Sequence, residues 1–261
     1  MRRPIAFLAE IGFATMPADE VAAAITGAGY DSIEWTMAHI DDFVEPACAI
    51  ACQQDLVTDP VGGLERTKSA IDVAARRSVP TVNVLTGPNL WEDGAAARHD
   101  EAAWTDSLRA LEAACAYAEP LGVKVALEPC WGTLAHDAAT MRRVLAEVPC
   151  AVNFDPSHFV MENDDIPGFV REVGDRIVHV HLKDAFGAPG IEGEDFLFCL
   201  LGEGKVPWPE FFTALDDTGY TGPLSVEFEA YRYLDQVLGN DPVAAARLAM
   251  DQVRALVPGA A

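Results

Sequence analysis

Four side chains of metal-binding type stand at or near the ends of four strand-like apolar runs. The runs are VKVALE, CAVNFD, IVHVHL and PLSVEFE, and the side chains are Glu128, Asp155, His181 and Glu227. Positions 128, 155, 181 and 227 lie about one, one and two strand-plus-helix units of a barrel apart. Two glutamates, an aspartate and a histidine can chelate a divalent cation mainly through oxygen, and glutamates can also transfer protons. The spacing therefore predicts a metalloenzyme whose ligands converge on one barrel mouth.

Strand-like and helical segments alternate along the chain. The other strand-like runs are PIAFLA from Pro4, SIEWT from Ser32 and PTVNVL from Pro80, and FLFCLL from Phe196 is a weaker eighth candidate. Runs without a polar face indicate a parallel sheet that is buried on both sides. Because no GxGxxG motif follows a strand, a single-domain (β/α)8 TIM barrel over residues 1–261 fits better than an open doubly wound sheet.

Helix start signals support the same arrangement. Asp59-Pro60 and Asp241-Pro242 each combine an N-cap residue with proline at the first helical position. Further helices are predicted over about 18–28, 100–118, 137–147, 166–173 and 209–217. The longest segment without a clear helix pattern runs from Ala185 to Val206, and its glycines predict a mobile loop over the barrel mouth.

The composition limits the classes of partner. The chain has 41 acidic and 18 basic residues and a net charge of −23, which repels nucleic acid because that binding depends on Lys and Arg neutralising phosphates. No apolar run reaches the roughly 18 residues of a membrane span, and Glu10 interrupts the signal-like stretch at the N-terminus. The cysteines have no CxxC or zinc spacing and are predicted to be reduced. We expect a cytoplasmic protein without nucleic-acid or membrane partners, and a homo-oligomer stays open.

The segments ALEP, NFDPSH, HVHLKD and GPLSVEFE, together with GEGKVPW, resemble the sugar phosphate isomerase/epimerase superfamily of xylose isomerase-like TIM barrels. The similarity is sharpest between Val123 and Glu229. That superfamily includes ketose 3-epimerases, hydroxypyruvate isomerases, keto-inositol dehydratases and dehydroshikimate dehydratases. The resemblance implies that the four residues named above bind one divalent metal ion, with manganese expected first and magnesium, cobalt or zinc as alternatives. It also implies that His158, in DPSH, contacts the substrate.

The resemblance implies proton transfer next to a carbonyl. A metal ion can hold a substrate carbonyl and an adjacent hydroxyl as a Lewis acid and stabilise an enediolate. Glu128 and Glu227 would remove the proton and return it from opposite sides, whereas Asp155 and His181 would hold the metal. His158 would donate a hydrogen bond to a substrate oxygen or shuttle a proton, and the alternative is a structural histidine.

Further side chains near the predicted strand ends are candidates for substrate binding. Lys183 continues the strand parity of His181 and could contact a substrate oxygen or phosphate, or form an ion pair with an acid. Glu10 and Glu34 could bind sugar hydroxyls or form salt bridges within the barrel. Aromatic rings can stack on the C–H surfaces of sugars or pack in the protein core. Both roles are open for Trp35, Trp91 and Trp131.

The HLKD segment carries two more expectations. His179 shares the parity of His181, so it is interpreted as a polar residue one layer deeper or in the core. The following AFGAPG lacks the arginine that ketose 3-epimerases carry a few residues after this motif. Lys-Asp after the metal histidine is closer to the keto-inositol dehydratases.

Four functions stay open. The first is a one-metal isomerase or epimerase of a small sugar or polyol, and the second is a lyase that starts with the same proton abstraction and then expels a leaving group. An enzyme of the endonuclease IV type needs three zinc ions and additional histidines, which the run ending in NVLTGP lacks. A non-catalytic sugar-binding module would not need a complete ligand set.

Overall fold

The computed structural model describes residues 2–87 and 100–259. Ten strands occur in these residues, and eight of them run parallel in a closed barrel of order β1-β10-β7-β6-β5-β4-β3-β2. The strands are β1 (Ile5–Leu8), β2 (Ser32–Thr36), β3 (Ala47–Ala51), β4 (Thr81–Val84), β5 (Lys124–Leu127), β6 (Ala151–Phe154), β7 (Ile177–Leu182), β8 (Asp184–Gly187), β9 (Phe196–Cys199) and β10 (Leu224–Val226). The predicted (β/α)8 barrel is confirmed. Trp91 lies outside the described residues.

The eighth barrel strand is not the one that the sequence suggested. It is β3, with the sequence ACAIA, which pairs in parallel with β2 and β4. The FLFCLL run instead supplies β9, which pairs antiparallel with β8 outside the barrel. Alanine has low strand propensity. In addition, the helical element between β2 and β3 is only a short 3-10 turn at Met37–His39, so the usual strand-helix-strand spacing is missing here.

Nine α-helices lie in the described residues. They are α1 (Ala18–Ala28), α2 (Pro60–Arg77), α3 (Glu101–Ala118), α4 (Ala138–Glu147), α5 (Pro156–Glu162), α6 (Ile166–Val173), α7 (Trp208–Asp217), α8 (Tyr231–Gln236) and α9 (Pro242–Leu256). Asp59 caps α2 through the amide of Gly62, and Asp241 caps α9 through two amides, as predicted. The short helices α5 and α8 were not predicted. Across these residues no helix has the length and apolar character that crossing a membrane requires.

Polar side chains fill the barrel interior below its C-terminal rim. Each lies on a barrel strand and is at most 3% exposed, and the set comprises Glu34, Asn83, Asn153, His179 and Ser225. Residues of the opposite parity on the same strands, such as Ile33 and Val152, pack in the main hydrophobic core. This alternation directs one row of polar groups toward the barrel axis and supports the side chains at the rim.

The β8–β9 hairpin packs on the rim of the barrel. Its apolar side chains form a small cluster with residues of the β5–α4 loop and of α5, namely Trp131, Met161, Ala185, Phe196 and Phe198. The hairpin base is held by Asp184, whose carboxylate accepts four backbone N–H groups and the indole Nε1–H of Trp208. The segment predicted as a loop therefore contains an ordered hairpin, and its mobility stays a prediction.

Candidate metal centre

Four ligand-type side chains converge at the C-terminal rim of the barrel. Glu128 directly follows β5, Asp155 follows β6, His181 lies near the end of β7 and Glu227 follows β10. One ligand atom from each lies within 4.8 Å of the others, and all four residues are buried. The structure thus brings together all four residues that the sequence spacing selected.

The charges in this cluster are strongly coupled. Burial alone would raise the pKa of Glu128, but the neighbouring His181 holds it well below its ordinary value. Burial opposes ionisation of Glu227 too, and Lys183 and His181 together hold its pKa below the usual range. The pKa of Asp155 is raised because burial outweighs the attraction of Lys183. Two glutamate carboxylates are therefore ionised side by side.

Asp155 leaves a ligand atom available. Its Oδ1 caps α5 by accepting the amide of Ser157 at 2.8 Å. Its Oδ2 is buried and lies 3.0 Å from Nζ of Lys183, yet no donor among residues 2–87 and 100–259 completes a hydrogen bond to it. Its charge is paired with that of Lys183, but a buried carboxylate oxygen that accepts no hydrogen bond is costly. Together with an oxygen-rich donor set, it fits a divalent cation.

Lys183 supplies positive charge to the same cluster. Its Nζ lies 2.7 Å from Oε2 of Glu227, 2.8 Å from Oε2 of Glu229 and 3.0 Å from Oδ2 of Asp155. Burial acts to lower the pKa of Lys183, but these carboxylates raise it well above its ordinary value. Of the two expectations for Lys183, the ion pair is the one present in the structure.

His158 lies in the first turn of α5 and faces the cluster. Its Nε2 is 3.5 Å from Oε1 of Glu128 and 3.5 Å from Oδ2 of Asp155. The ring is 2% exposed and meets Phe198 of the hairpin edge to face at 6.0 Å. His158 is therefore held beside the candidate ligands and under the hairpin.

The structure places two of the residues expected to contact substrate away from the barrel mouth. Glu34 is 0% exposed, and β2 continues beyond it to Thr36, so its carboxylate lies inside the barrel rather than at the mouth. Trp35, the next residue, has the opposite parity and packs outside the barrel, where its Nε1 donates to the carbonyl of Val44 and its ring contacts Phe43. Glu34 thus lies below the rim, in contact with His181, and Trp35 lies outside the barrel.

Glu10 and Trp131 do lie at the rim. Glu10 lines a cavity beside Glu227 and Phe228. Burial, followed by the negative charges of Glu227 and Glu229, raises the pKa of Glu10 to about 8. Trp131 packs edge to face against Phe196 of the hairpin at 4.8 Å.

Sequence analysis missed two polar residues of this region. Asn153 donates to Oε2 of Glu128 at 3.1 Å, and Glu229 binds both Lys183 and the hydroxyl of Tyr231. Strand parity was the available signal, because Asn153 stands two residues before Asp155 and Glu229 two residues after Glu227.

An eight-stranded barrel with carboxylates and a histidine converging at its C-terminal rim defines a TIM-barrel protein with a candidate divalent-metal centre. A family model for the xylose isomerase-like TIM barrel matches residues 61–256. This chain belongs to the xylose isomerase-like TIM barrel family, which confirms the resemblance seen in the sequence.

Curated relatives of the chain include epimerases and dehydratases. A fructoselysine 3-epimerase of Shigella flexneri is 27% identical over 208 residues, which cover 75% of this chain and 67% of that protein. An inosose dehydratase of Mesomycoplasma hyopneumoniae is 33% identical over 116 residues, which cover 40% of this chain and 37% of that protein.

Solved structures share the fold over the whole chain. A D-allulose 3-epimerase from Methylomonas sp. is 20% identical, covers 98% of both chains and has a TM-score of 0.72. An IolI protein with a bound zinc atom is 17% identical, covers 97% of this chain and 98% of its own, and has a TM-score of 0.76.

Proposed function

We propose that this protein is a divalent-metal-dependent isomerase or epimerase of a small polyhydroxy carbonyl compound. The observation that carries the proposal is the convergence of four ligand atoms within 4.8 Å, from Glu128, Asp155, His181 and Glu227. The similarity to fructoselysine 3-epimerase supports the reaction class. Manganese is the first metal to test, with magnesium, cobalt and zinc as alternatives, because oxygen ligands dominate the set.

The proposed ligands would hold the cation through three carboxylates and one imidazole. A divalent cation bound there supplies Lewis acidity, which stabilises the negative charge that develops on a carbonyl oxygen when a neighbouring C–H loses its proton. Within residues 2–87 and 100–259, buried Oδ2 of Asp155 accepts no hydrogen bond, and Nζ of Lys183 lies 3.0 Å from it as an ion-pair partner.

Glu128 and Glu227 are the proposed proton-transfer groups. Their strands, β5 and β10, lie three positions apart in one direction around the barrel and five in the other. The two carboxylates therefore approach one small volume from different sides. An epimerase needs this arrangement, because the proton leaves one face of a carbon and returns to the other.

The surrounding residues have proposed roles in binding and orienting the substrate. His158 would donate a hydrogen bond to a substrate oxygen from its position beside Glu128. Lys183 would contact a second oxygen, since its ammonium is held among the carboxylates of the cluster. Glu10 and Trp131 would line the substrate at the rim, and the hairpin would exclude water.

A lyase is the second candidate function. The similarity to inosose dehydratase, 33% identity over 116 residues, favours it. The same carboxylate would abstract the same proton, but a leaving group would then depart instead of a proton returning. Both functions use the same metal ligands, so they differ only after the first proton transfer.

Product mass separates the two functions. Manganese-loaded protein would be incubated in D2O with ketoses, ketose phosphates and keto-inositols, and the products analysed by mass spectrometry. We expect one deuterium per product with otherwise unchanged mass, because the abstracted proton is replaced from solvent. A product that has lost one water from a keto-inositol would show that the protein is a dehydratase and not an isomerase.

Matched variants test the two glutamates. Glu227→Gln and Glu128→Gln should each abolish turnover, whereas Glu147→Gln, at the exposed end of α4, should leave it unchanged. A Glu128→Gln variant that binds metal and keeps its activity would refute the role of Glu128 in proton transfer.

A further inference from the structure

Glu34 sits behind the candidate metal centre. It lies on β2, is 0% exposed and contacts β7 across the barrel interior, since β2 and β7 are not neighbouring strands. Its Oε2 accepts from Nε2 of His179 at 2.8 Å and faces Nε2 of His181 at 3.0 Å. Its Oε1 accepts from Nδ2 of Asn83 at 2.5 Å. A fully buried carboxylate is therefore fixed by three polar groups.

The two nitrogens of His181 face different carboxylates, and the amide Nδ2 of Asn153 lies 3.2 Å from Nε2 and 3.5 Å from Nδ1. Nε2 is directed at Glu34, whereas Nδ1 lies 3.2 Å from Oε2 of Glu227 and 3.5 Å from Oε2 of Glu128. A carboxylate can only accept, so Nε2 must carry the hydrogen of this contact. In a neutral imidazole the lone pair is then on Nδ1, on the side of the proposed cation.

We propose that Glu34 is a positioning residue for the metal centre. Its carboxylate holds the ring of His181 in the orientation and tautomer that present the lone pair of Nδ1 to the cation. The same contact makes Nδ1 a stronger electron-pair donor to the metal. Metal-binding histidines usually donate their other N–H to a carboxylate, a backbone carbonyl or a water, and loss of that partner typically costs about 10- to 100-fold in metal affinity or activity. The inference rests on the proposed function, because it requires His181 to be a ligand.

A second ion is the competing use of the same atoms. Glu34, His179 and His181 also form a group whose ligand atoms lie within 4.8 Å of one another. An ion there would occupy Nε2 of His181 and remove its hydrogen. If Glu34 positions His181, the protein binds one ion per chain and Nε2 of His181 is protonated. If a second ion binds instead, the protein binds two ions per chain and Nε2 carries no hydrogen.

Manganese affinity of the full chain provides the first test. Glu34→Gln keeps the size of the side chain but places an amide, which can donate, against Nε2–H. We expect manganese affinity to fall about 10- to 100-fold with the stoichiometry still one. Asp165→Ala is the matched control, because it removes the cap of α6 and lowers stability without touching the centre. Its manganese affinity should equal that of the wild type.

The zinc-loaded wild-type protein provides a second test that needs no variant. With 15N-labelled histidine, we expect His181 to show a zinc-bound Nδ1 and a protonated Nε2 in slow exchange with water. A merely structural Glu34 would not determine which nitrogen binds zinc. Zinc on Nε2, two ions per chain, or a Glu34→Gln variant with wild-type affinity would overturn the inference. If the wild type binds no divalent ion, the proposed function itself fails.

Discussion

At the scale of single residues, the buried charge of Lys183 is balanced by the carboxylates in direct contact with it. Lys183 is buried against three carboxylates, and two of them belong to proposed metal ligands. Taking one charge out of such a group leaves the others uncompensated in a low-dielectric interior, which is strongly destabilising. The stability of the metal-free protein should therefore depend on Lys183.

Replacement of Lys183 tests this balance. Lys183→Met should lower the free energy of unfolding of the metal-free protein by about 3 kcal/mol, measured by urea denaturation. Manganese should restore more stability to the variant than to the wild type, because the cation replaces the missing charge.

Lys68 offers the matched control. It pairs with Glu65 at 2.8 Å on the exposed surface of α2, so Lys68→Met should cost less than about 1 kcal/mol. Equal losses for the two variants would contradict the idea that Lys183 balances the cluster.

At the scale of elements, the β8–β9 hairpin connects the end of β7 to the site. Its base is fixed by Asp184, and no other residue could replace Gly204 easily, since a side chain there would collide with the Asp184 carboxylate. Its strand β9 packs on Trp131 through Phe196 and covers His158 through Phe198. The geometry is that of a cover with an anchored base.

Hydrogen exchange tests whether this cover closes on a ligand. Amides in residues 185–206 should exchange faster than those of β7 in the ligand-free protein and become protected when a tight substrate analogue binds. Asp184→Asn should raise exchange over the same segment, because an amide cannot accept at both ends. Equal protection with and without the analogue would argue against a lid.

Elements with a strong periodic pattern could be predicted, and elements without one could not. Seven barrel strands follow from apolar runs that alternate with helical segments, and the caps at Asp59 and Asp241 follow from capping chemistry. The alanine-rich β3 has a weak strand signal, with Ile50 as its one β-branched residue, whereas the phenylalanine-rich β9 has a strong signal without belonging to the barrel.

At the scale of the whole molecule, closure of the barrel brings residues that are far apart in the sequence together at one rim. The four proposed ligands were predictable because parallel strands end on one rim. Depth along a strand was harder to predict, so Glu34 was expected at the mouth although two more residues of β2 follow it. Parity alone excluded Glu34 and Trp35 from facing the same side, which was the signal overlooked.

Manganese titration of the purified full chain tests the central claim, one divalent cation held by Glu128, Asp155, His181 and Glu227. By calorimetry and metal analysis, the account predicts one ion per chain. For Asp155→Asn it predicts an affinity lower by more than about 100-fold, because the chelate loses a charged arm. No ion after loading, or three ions per chain, would contradict it.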